Sequence, residues 1–196
     1  MESNNDLASL HAYLCADGYV IKNPPMQRKK YYRIGLRNTN AILLRDFQLK
    51  FFNTFNIEPH IREGRCELGS KEIYLFLTKE YNFYSRGWVV PNIQKEFMSA
   101  WLRSFFDCEG WVLVRVAVDR HIGADSVNKC GLFRIKEILE NEFEISSKFR
   151  ETNRGGIFRL LIYGKENLIK LQKEIGFLHP DKRKKLIRAI DSYVLK

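Results

Sequence analysis

The sequence predicts an α+β protein made of two similar halves, each with the order α-β-β-α-β-β-α and one antiparallel sheet. The first observation is an internal repeat: residues 10–18 lie over residues 102–110, and both copies begin with Leu and end in an acid followed by Gly. The second is that apolar residues then follow helix and strand periods in the same order after each copy. Together they predict a pseudo-twofold duplication around a central pair of helices.

The elements of the first half follow from local patterns. A helix ends at the acid–glycine pair, where Gly18 and its counterpart Gly110 suit the left-handed residue just past a helix. Two strands come next, over 19–22 and 31–37, followed by a helix over 40–55. Two further strands, over 59–67 and 72–78, lead to a closing helix.

The second half repeats the pattern. We expect a strand over 111–119 with its partner, a helix over 128–143, strands over 147–153 and 157–163, and a closing helix over 182–195. Five apolar residues of the first half match five of the second at a constant offset of 88: Leu44, Phe47, Phe51, Phe55 and Ile57 with Leu132, Ile135, Leu139, Phe143 and Ile145. The join falls near 90–95 without a Gly/Ser linker, so the predicted halves are 1–92 and 93–196.

The charge balance predicts an anionic partner. Lys and Arg number 33 against 23 Asp and Glu, a net charge of +10. Nucleic acid, an acidic membrane surface and an acidic protein all satisfy this balance. No run of about 18 apolar residues exists, the N-terminus lacks a signal-peptide pattern, and the four cysteines form no CxxC pair. We therefore expect a reduced, cytoplasmic location and no membrane span.

Each copy of the repeat places a carboxylate, Asp17 or Glu109, at the last turn of an apolar helix. The negative end of the helix dipole disfavours an acid there by about 0.3–1 kcal/mol. Small residues at matched positions, Ala12 and Ser104, allow the two helices to pack closely, which brings both acids to one end. Two adjacent carboxylates repel, and a divalent cation such as Mg²⁺ relieves that repulsion.

Strand periodicity predicts a cationic face on each sheet. In the first half Tyr31, Arg33 and Arg37 alternate with apolar residues, and in the second half the valines at 112, 114, 116 and 118 form the buried set. Two such sheets fit neighbouring segments of a DNA major groove. The residues expected to contact DNA are Tyr31, Arg33, Arg37, Arg62, Arg65, Lys71, Trp111, Arg115, His121, Lys148, Arg150, Arg154 and Arg159.

Residues 10–18 and 102–110 resemble the two motifs of single-chain LAGLIDADG homing endonucleases, and the length and the segment 105–110 are similar to archaeal, intron-encoded members. The internal acid of the motif is Cys15 in the first copy and Asp107 in the second, whereas the catalytic acid is present in both, as Asp17 and Glu109. The resemblance covers essentially the whole chain and implies the fold deduced above.

The resemblance also implies a function: a monomer that hydrolyses both strands of double-stranded DNA across the minor groove and leaves short 3′ overhangs. It implies Mg²⁺ or Mn²⁺ held at Asp17 and Glu109 together with the preceding Ala16 and Cys108. Supporting catalytic groups are expected at Asn38, Ser126 and Lys182, with Gln94 or Lys95 as the counterpart of Lys182. Two alternatives remain on the same fold: a maturase that binds intron RNA, and a catalytically silent DNA-binding regulator.

Overall fold

The computed structural model describes residues 4–29, 31–115 and 118–193. Its first half contains three helices and four strands in the predicted order. They are α1 (Asn5–Cys15), β1 (Gly18–Lys22), β2 (Tyr32–Arg37), α2 (Ala41–Phe55), β3 (His60–Arg62), β4 (Arg65–Gly69) and α3 (Lys71–Thr78). Asparagine and serine side chains begin all three helices: Asn4, Asn40 and Ser70 each accept a hydrogen bond from a first-turn backbone N–H.

The second half repeats this order and adds one helix. Its elements are α4 (Lys95–Glu109), β5 (Gly110–Arg115), β6 (Asp119–Ser126), α5 (Lys129–Phe143), β7 (Lys148–Glu151), β8 (Phe158–Tyr163), α6 (Lys165–Glu174) and α7 (Pro180–Asp191). Each half forms one antiparallel four-stranded sheet, in the orders β1-β2-β4-β3 and β5-β6-β8-β7. The duplicated α+β fold is therefore confirmed.

The strand registers of the two sheets match residue by residue. Tyr19 lies opposite Gly35 in the first sheet, and Trp111 lies opposite Gly123 in the second. The same offset of 88 that aligned the apolar residues thus aligns β2 with β6. The repeat can serve below as an internal comparison between equivalent positions.

Helices α1 and α4 pack side by side at the centre of the molecule. Ala12 and Ser104 are buried at this contact, and the hydroxyl of Ser9 donates to the carbonyl of Ala100. Trp101, also fully buried, donates from its indole Nε1 to Nδ1 of His11 across the two helices at 3.0 Å. These contacts, and the effect of Asp17 on the pKa of Glu109, place the C-terminal ends of the two helices close together.

Two local predictions were wrong. Residues 72–78 form most of helix α3 rather than a strand, because Ser70 caps the helix and Ile73 and Leu77, one turn apart, are the residues that become buried. Helix α6 was not predicted at all. The last helix begins at Pro180, where proline suits the first turn, and residue 195 lies outside the described residues.

The glycines of the repeated motif serve close packing, not left-handed geometry. Gly110 has φ −77° and ψ 154°, and neither it nor Gly18 is among the described residues with positive φ. A Cβ on Gly18 would lie 2.4 Å from the Leu14 Cα, and one on Gly110 would lie 2.5 Å from the Phe106 carbonyl oxygen. Glycine is needed because the strand leaves the helix directly against its last turn.

The expected set of buried valines is only partly correct. Val112 is buried and Val114 is half-buried, but Val118 is exposed at the turn into β6, and Val116 lies outside the described residues. A turn breaks the two-residue alternation, so periodicity ceases to assign faces there. In the parts of the chain that the structure describes, no helix combines the length and the apolar character that crossing a membrane requires.

Candidate functional site

The two acids of the repeat lie at the paired ends of the central helices. Asp17 follows the last turn of α1, and Glu109 is the final residue of α4. Burial, first, and the negative charge of Asp17 raise the pKa of Glu109 to about 7, although the ammonium of Lys182 opposes the shift. The carboxylates are therefore close enough to repel each other in a half-buried setting.

Asn38 orients Asp17. Its side-chain Nδ2 donates to the Asp17 carboxylate at 2.8 Å, and its Oδ1 accepts from the backbone N–H of Asn40 at 2.8 Å. The backbone N–H of Asn38 donates to the carbonyl of Gly64 at 3.0 Å. Since both ends of the amide are engaged, the direction of the Asn38 side chain, and with it the Asp17 carboxylate, is fixed by the turn between β2 and α2.

Lys182 reaches the same place from helix α7. Its Nζ donates to the carbonyls of Phe106, Asp107 and Cys108, at 3.2, 2.6 and 3.1 Å. The Phe106 carbonyl also accepts the backbone N–H of Gly110, whereas the carbonyls of Asp107 and Cys108 belong to the end of the last turn, where the helix supplies no donor. Burial lowers the pKa of Lys182, while the surrounding Cys108, Asp107, Asp17 and Glu109 favour its charged form. The ammonium thus closes the end of α4 beside both acids.

Asp107, the acid retained inside the second motif, fixes the segment that carries Lys182. Its carboxylate accepts from the backbone N–H groups of Leu178 and His179 at 3.1 and 2.9 Å. Burial raises its pKa to about 6 in spite of these two bonds. The sequence predicted no role for this residue. Its position on a helix of mainly apolar residues was the feature of the sequence that indicated a structural role.

Cys108 precedes Glu109 in α4, and both its carbonyl and its thiol are engaged. Its carbonyl accepts from Lys182, and its thiol hydrogen-bonds to Asp17. Burial, first, and the charge of Asp17 raise the pKa of the thiol, so it stays protonated. Cys108 therefore contacts the candidate site through both its backbone and its side chain.

The Glu109 side of the site has a different lining. Glu109, Asp125 and Ser126 line one cleft together with Ala16 of the other half. The hydroxyl of Ser126 accepts from the backbone N–H of Asn128, the N-cap of α5, at 3.0 Å, so it supports the turn into α5 and does not orient Glu109 as Asn38 orients Asp17. Asp125 was not among the predicted residues, although the repeat alignment places it opposite Arg37.

The donor chemistry of the site fits a hard divalent cation. Two carboxylates from separate helices, with backbone carbonyls beside them, supply the oxygen ligands that Mg²⁺ and Mn²⁺ prefer. Burial, first, and the charge of Asp17 raise the pKa of Glu109, so ionising this acid costs free energy that a bound cation would offset. Within the described ranges, however, no group of three or more His, Cys, Asp or Glu side chains is arranged around one point.

Each sheet turns one face to the core and the other to solvent. In the first half Ile34 and Leu36 are buried, whereas Arg33 and Arg37 are exposed on the opposite face of β2. The rows of this open face follow from the register, because residues directly opposite in a ladder share a face. They are Ile21-Arg33-Gly69, Tyr19-Gly35-Glu67-His60 and Arg37-Arg65-Arg62.

The second sheet has the equivalent rows. They are Leu113-His121-Tyr163, Trp111-Gly123-Leu161-Lys148 and Asp125-Arg159-Arg150. Arg115, Lys148, Arg150 and Arg154 are exposed, as is Tyr31 beside the first sheet. The structure therefore brings most of the predicted cationic residues onto two open faces, next to the ends of α1 and α4.

Four predicted residues differ from expectation in burial or position. His121 shares the open face but is only 6% exposed, because its ring packs between Trp111 and Tyr163 and its Nδ1 is 2.8 Å from Asp119. Lys71 is the first residue of α3 and not part of a hairpin strand. Gln94 and Lys95 lie at the start of α4, at the opposite end from Glu109, so they are no counterpart of Lys182.

Comparisons with known proteins agree with this fold. The family model described as a LAGLIDADG-like domain matches residues 4–85 and 96–176. Among solved structures, I-DmoI in complex with DNA and Ca superposes with a TM-score of 0.69 at 16% identity, covering 94% of this chain and 100% of that one. The homing endonuclease I-WcaI bound to its DNA recognition sequence gives 0.62 at 12% identity, covering 94% and 86%.

Two further comparisons complete the findings. Other structures of I-DmoI with DNA are described with Mn or Mg. A curated relative, glutamine–fructose-6-phosphate aminotransferase of Methanocaldococcus jannaschii, is 24% identical over 198 residues. The match takes in 92% of this chain and spans 17% of the length of that protein.

Proposed function

Because the chain belongs to the LAGLIDADG-like domain family, we propose that it is a site-specific endonuclease that hydrolyses both strands of double-stranded DNA across the minor groove and leaves short 3′ overhangs. The observation that carries this proposal is the meeting of Asp17 and Glu109, from equivalent helix ends, between two sheets with cationic open faces. A stable helix pair alone gains nothing from two carboxylates at that point.

The proposed division of roles follows from the contacts. Asp17 and Glu109, with the backbone of Ala16 beside them, would hold Mg²⁺ or Mn²⁺, the ions named for the DNA complexes of I-DmoI. The Cys108 carbonyl would not join them, because it accepts the ammonium of Lys182. Such an ion supplies an activated water and offsets negative charge at the phosphate. Asn38 keeps the Asp17 carboxylate turned toward the site, and Lys182 keeps the end of α4 closed.

DNA would lie across both open faces. I-DmoI and I-WcaI, which share the fold, are described bound to DNA. The exposed arginines and lysines of this chain would neutralise phosphates and supply affinity, and only a subset would contact base edges. Arg33 and Arg115 are candidates for phosphate contacts because both are exposed and, among the described residues, neither has a carboxylate partner.

The experiment is a cleavage assay on DNA that carries the uninterrupted host sequence around the insertion point of the reading frame, with Mg²⁺ and with EDTA. We expect metal-dependent double-strand cutting at one position by the unaltered protein. Asp17→Asn and Glu109→Gln should each abolish cutting and leave binding of the duplex within a few-fold. Asp191→Asn removes an acid from the end of another helix, α7, and should change neither property.

The possible outcomes separate the alternatives. Loss of duplex binding together with cutting in Asp17→Asn would assign the acids a structural role and refute the proposed chemistry. Tight binding without cutting by the unaltered protein would identify a regulator. Affinity for the intron RNA without affinity for the duplex would identify a maturase.

A further inference from the structure

One row of the open faces differs in charge between the halves. In the first sheet the row is Arg37-Arg65-Arg62, and in the second it is Asp125-Arg159-Arg150. Strands β4 and β3 carry arginine, as do their counterparts β8 and β7, whereas β2 carries Arg37 and its counterpart β6 carries Asp125. The difference lies next to the candidate site, because Arg37 bonds through its backbone to Asp17 and Asp125 shares a cleft with Glu109.

Arg159 is held on two sides. Its Nε donates to Oδ1 of Asp125 and its Nη2 donates to Oδ2, both at 2.6 Å, which makes a bidentate pair. The centre of its guanidinium lies 5.5 Å from the ring centroid of Trp111. That ring in turn lies on Gly123, where a Cβ would be only 2.2 Å from it. Asp125 therefore holds the guanidinium by hydrogen bonds in its plane, and the Trp111 ring contacts its face.

The matched arginine of the first sheet, Arg65, has no such support. Its nearest carboxylate is Glu67, whose Oε1 is 3.9 Å from Nη1, and Glu67 is itself engaged by the hydroxyl of Tyr19 at 2.6 Å. Its neighbour on the inner strand is Arg37, which repels it. Arg65 thus has one long ion pair at the position where Arg159 has a bidentate one.

We propose that Arg159, oriented by Asp125 and Trp111, reads a guanine in the major groove near the centre of the DNA site, and that Arg65 makes no equivalent base contact. Asp125 occupies Nε and one hydrogen of Nη2, so the outer edge, formed by Nη1 and the second hydrogen of Nη2, still presents two parallel donors. Guanine presents O6 and N7 to such a pair, which is the commonest specific contact in DNA recognition. This inference rests on the proposed binding of duplex DNA.

The Asp125–Arg159 ion pair is placed where it contributes little to the stability of the fold. Its side chains are 34% and 31% exposed, on the face turned away from the core. Ion pairs at such sites contribute little to stability because water screens them. What the pair does achieve is to remove rotamer freedom from Arg159 before DNA arrives, and orientation of that kind favours reading one base over neutralising any phosphate.

The test is a selection of binding sites from a randomised duplex DNA pool in EDTA, so that cutting cannot interfere. The unaltered protein should enrich a motif that contains one strongly preferred guanine near its centre, on the side of the second half. Arg159→Ala should lower that preference about tenfold, the low end of what a bidentate contact supplies, while the rest of the motif persists. Arg65→Ala, the matched control, should keep the guanine.

Two further variants make the test specific. Asp125→Ala retains the arginine but removes its support, so it should weaken the guanine preference without weakening overall affinity. Replacing that guanine by 7-deazaguanine, which lacks the N7 acceptor, should lower the affinity of the unaltered protein and leave that of Arg159→Ala unchanged. Far-ultraviolet circular dichroism and thermal melting establish that each variant is folded.

Several results would overturn the inference: no enriched motif with the unaltered protein, the same guanine preference in Arg159→Ala, or its loss in Arg65→Ala. The selected duplex is then offered with Mg²⁺. A duplex that is bound through its guanine but not cut would refute the proposed endonuclease and support the inference about Arg159. A duplex that is cut without any role for Arg159 would do the reverse.

Discussion

The histidine at the centre of the helix pair yields a quantitative prediction. His11 is 6% exposed, accepts a hydrogen bond from Trp101 through Nδ1, and lies against the rings of Tyr81 and Phe83. Its Nδ1 is thus an acceptor, which places the proton of the neutral ring on Nε2. Burial lowers its pKa from 6.5 to about 3. The folded protein therefore requires the neutral imidazole.

The sign and size of the effect follow from proton linkage. A histidine with a lowered pKa in the folded state leaves stability intact above pH 6.5, where both states are neutral. As the pH falls from 6.5 toward 3, the unfolded chain takes up a proton and the folded chain does not, so the free energy of unfolding falls. Between pH 7.5 and 5.0 the loss due to His11 alone is about 2 kcal/mol.

The measurement is urea unfolding of the unaltered protein and of His11→Gln at pH 7.5 and at pH 5.0. His11→Gln removes the titrating group and keeps a side chain able to accept from Trp101. We expect the unaltered protein to lose about 2 kcal/mol more than the variant over this interval. His60→Gln, at an exposed histidine, should behave as the unaltered protein does. Equal losses in the unaltered protein and His11→Gln would refute a buried neutral His11.

Two other predictions concern the surroundings of the site. Lys182→Met leaves the carbonyls of Asp107 and Cys108 without their donor, while Phe106 keeps the N–H of Gly110, and should lower the free energy of unfolding by about 2–3 kcal/mol in urea titrations. A change below about 0.5 kcal/mol would show that water replaces the ammonium. Gly123→Ala should displace the Trp111 ring, shift tryptophan fluorescence and weaken duplex binding, whereas Gly69→Ala, which meets one carbonyl oxygen at 3.3 Å, should do neither. An unchanged spectrum in Gly123→Ala would mean that the ring does not rest on this glycine.

The sequence alone determined the duplication and most of the elements. Apolar residues recur at helix and strand periods, and such periods depend only on which face of an element is buried. The predicted helices 40–55 and 128–143 accordingly agree with α2 and α5 to within one residue. Residues 72–78 failed because a short run of aromatic and branched residues fits both periods, and the capping serine decided between them.

The sequence alone also predicted Asp17 and Glu109 as functional residues, because both copies of the repeat keep an acid at a helix end where its charge is unfavourable. It did not predict the contacts around them. Lys182 and Asp107 meet through the docking of α7 on the end of α4, and Asp125 meets Arg159 through the register of β6 and β8. These contacts join residues far apart in the chain, and no local pattern records which of several arginines a carboxylate will face. The sequence sets which side chains are available on each face, and the packing of the elements sets which of them are held in place.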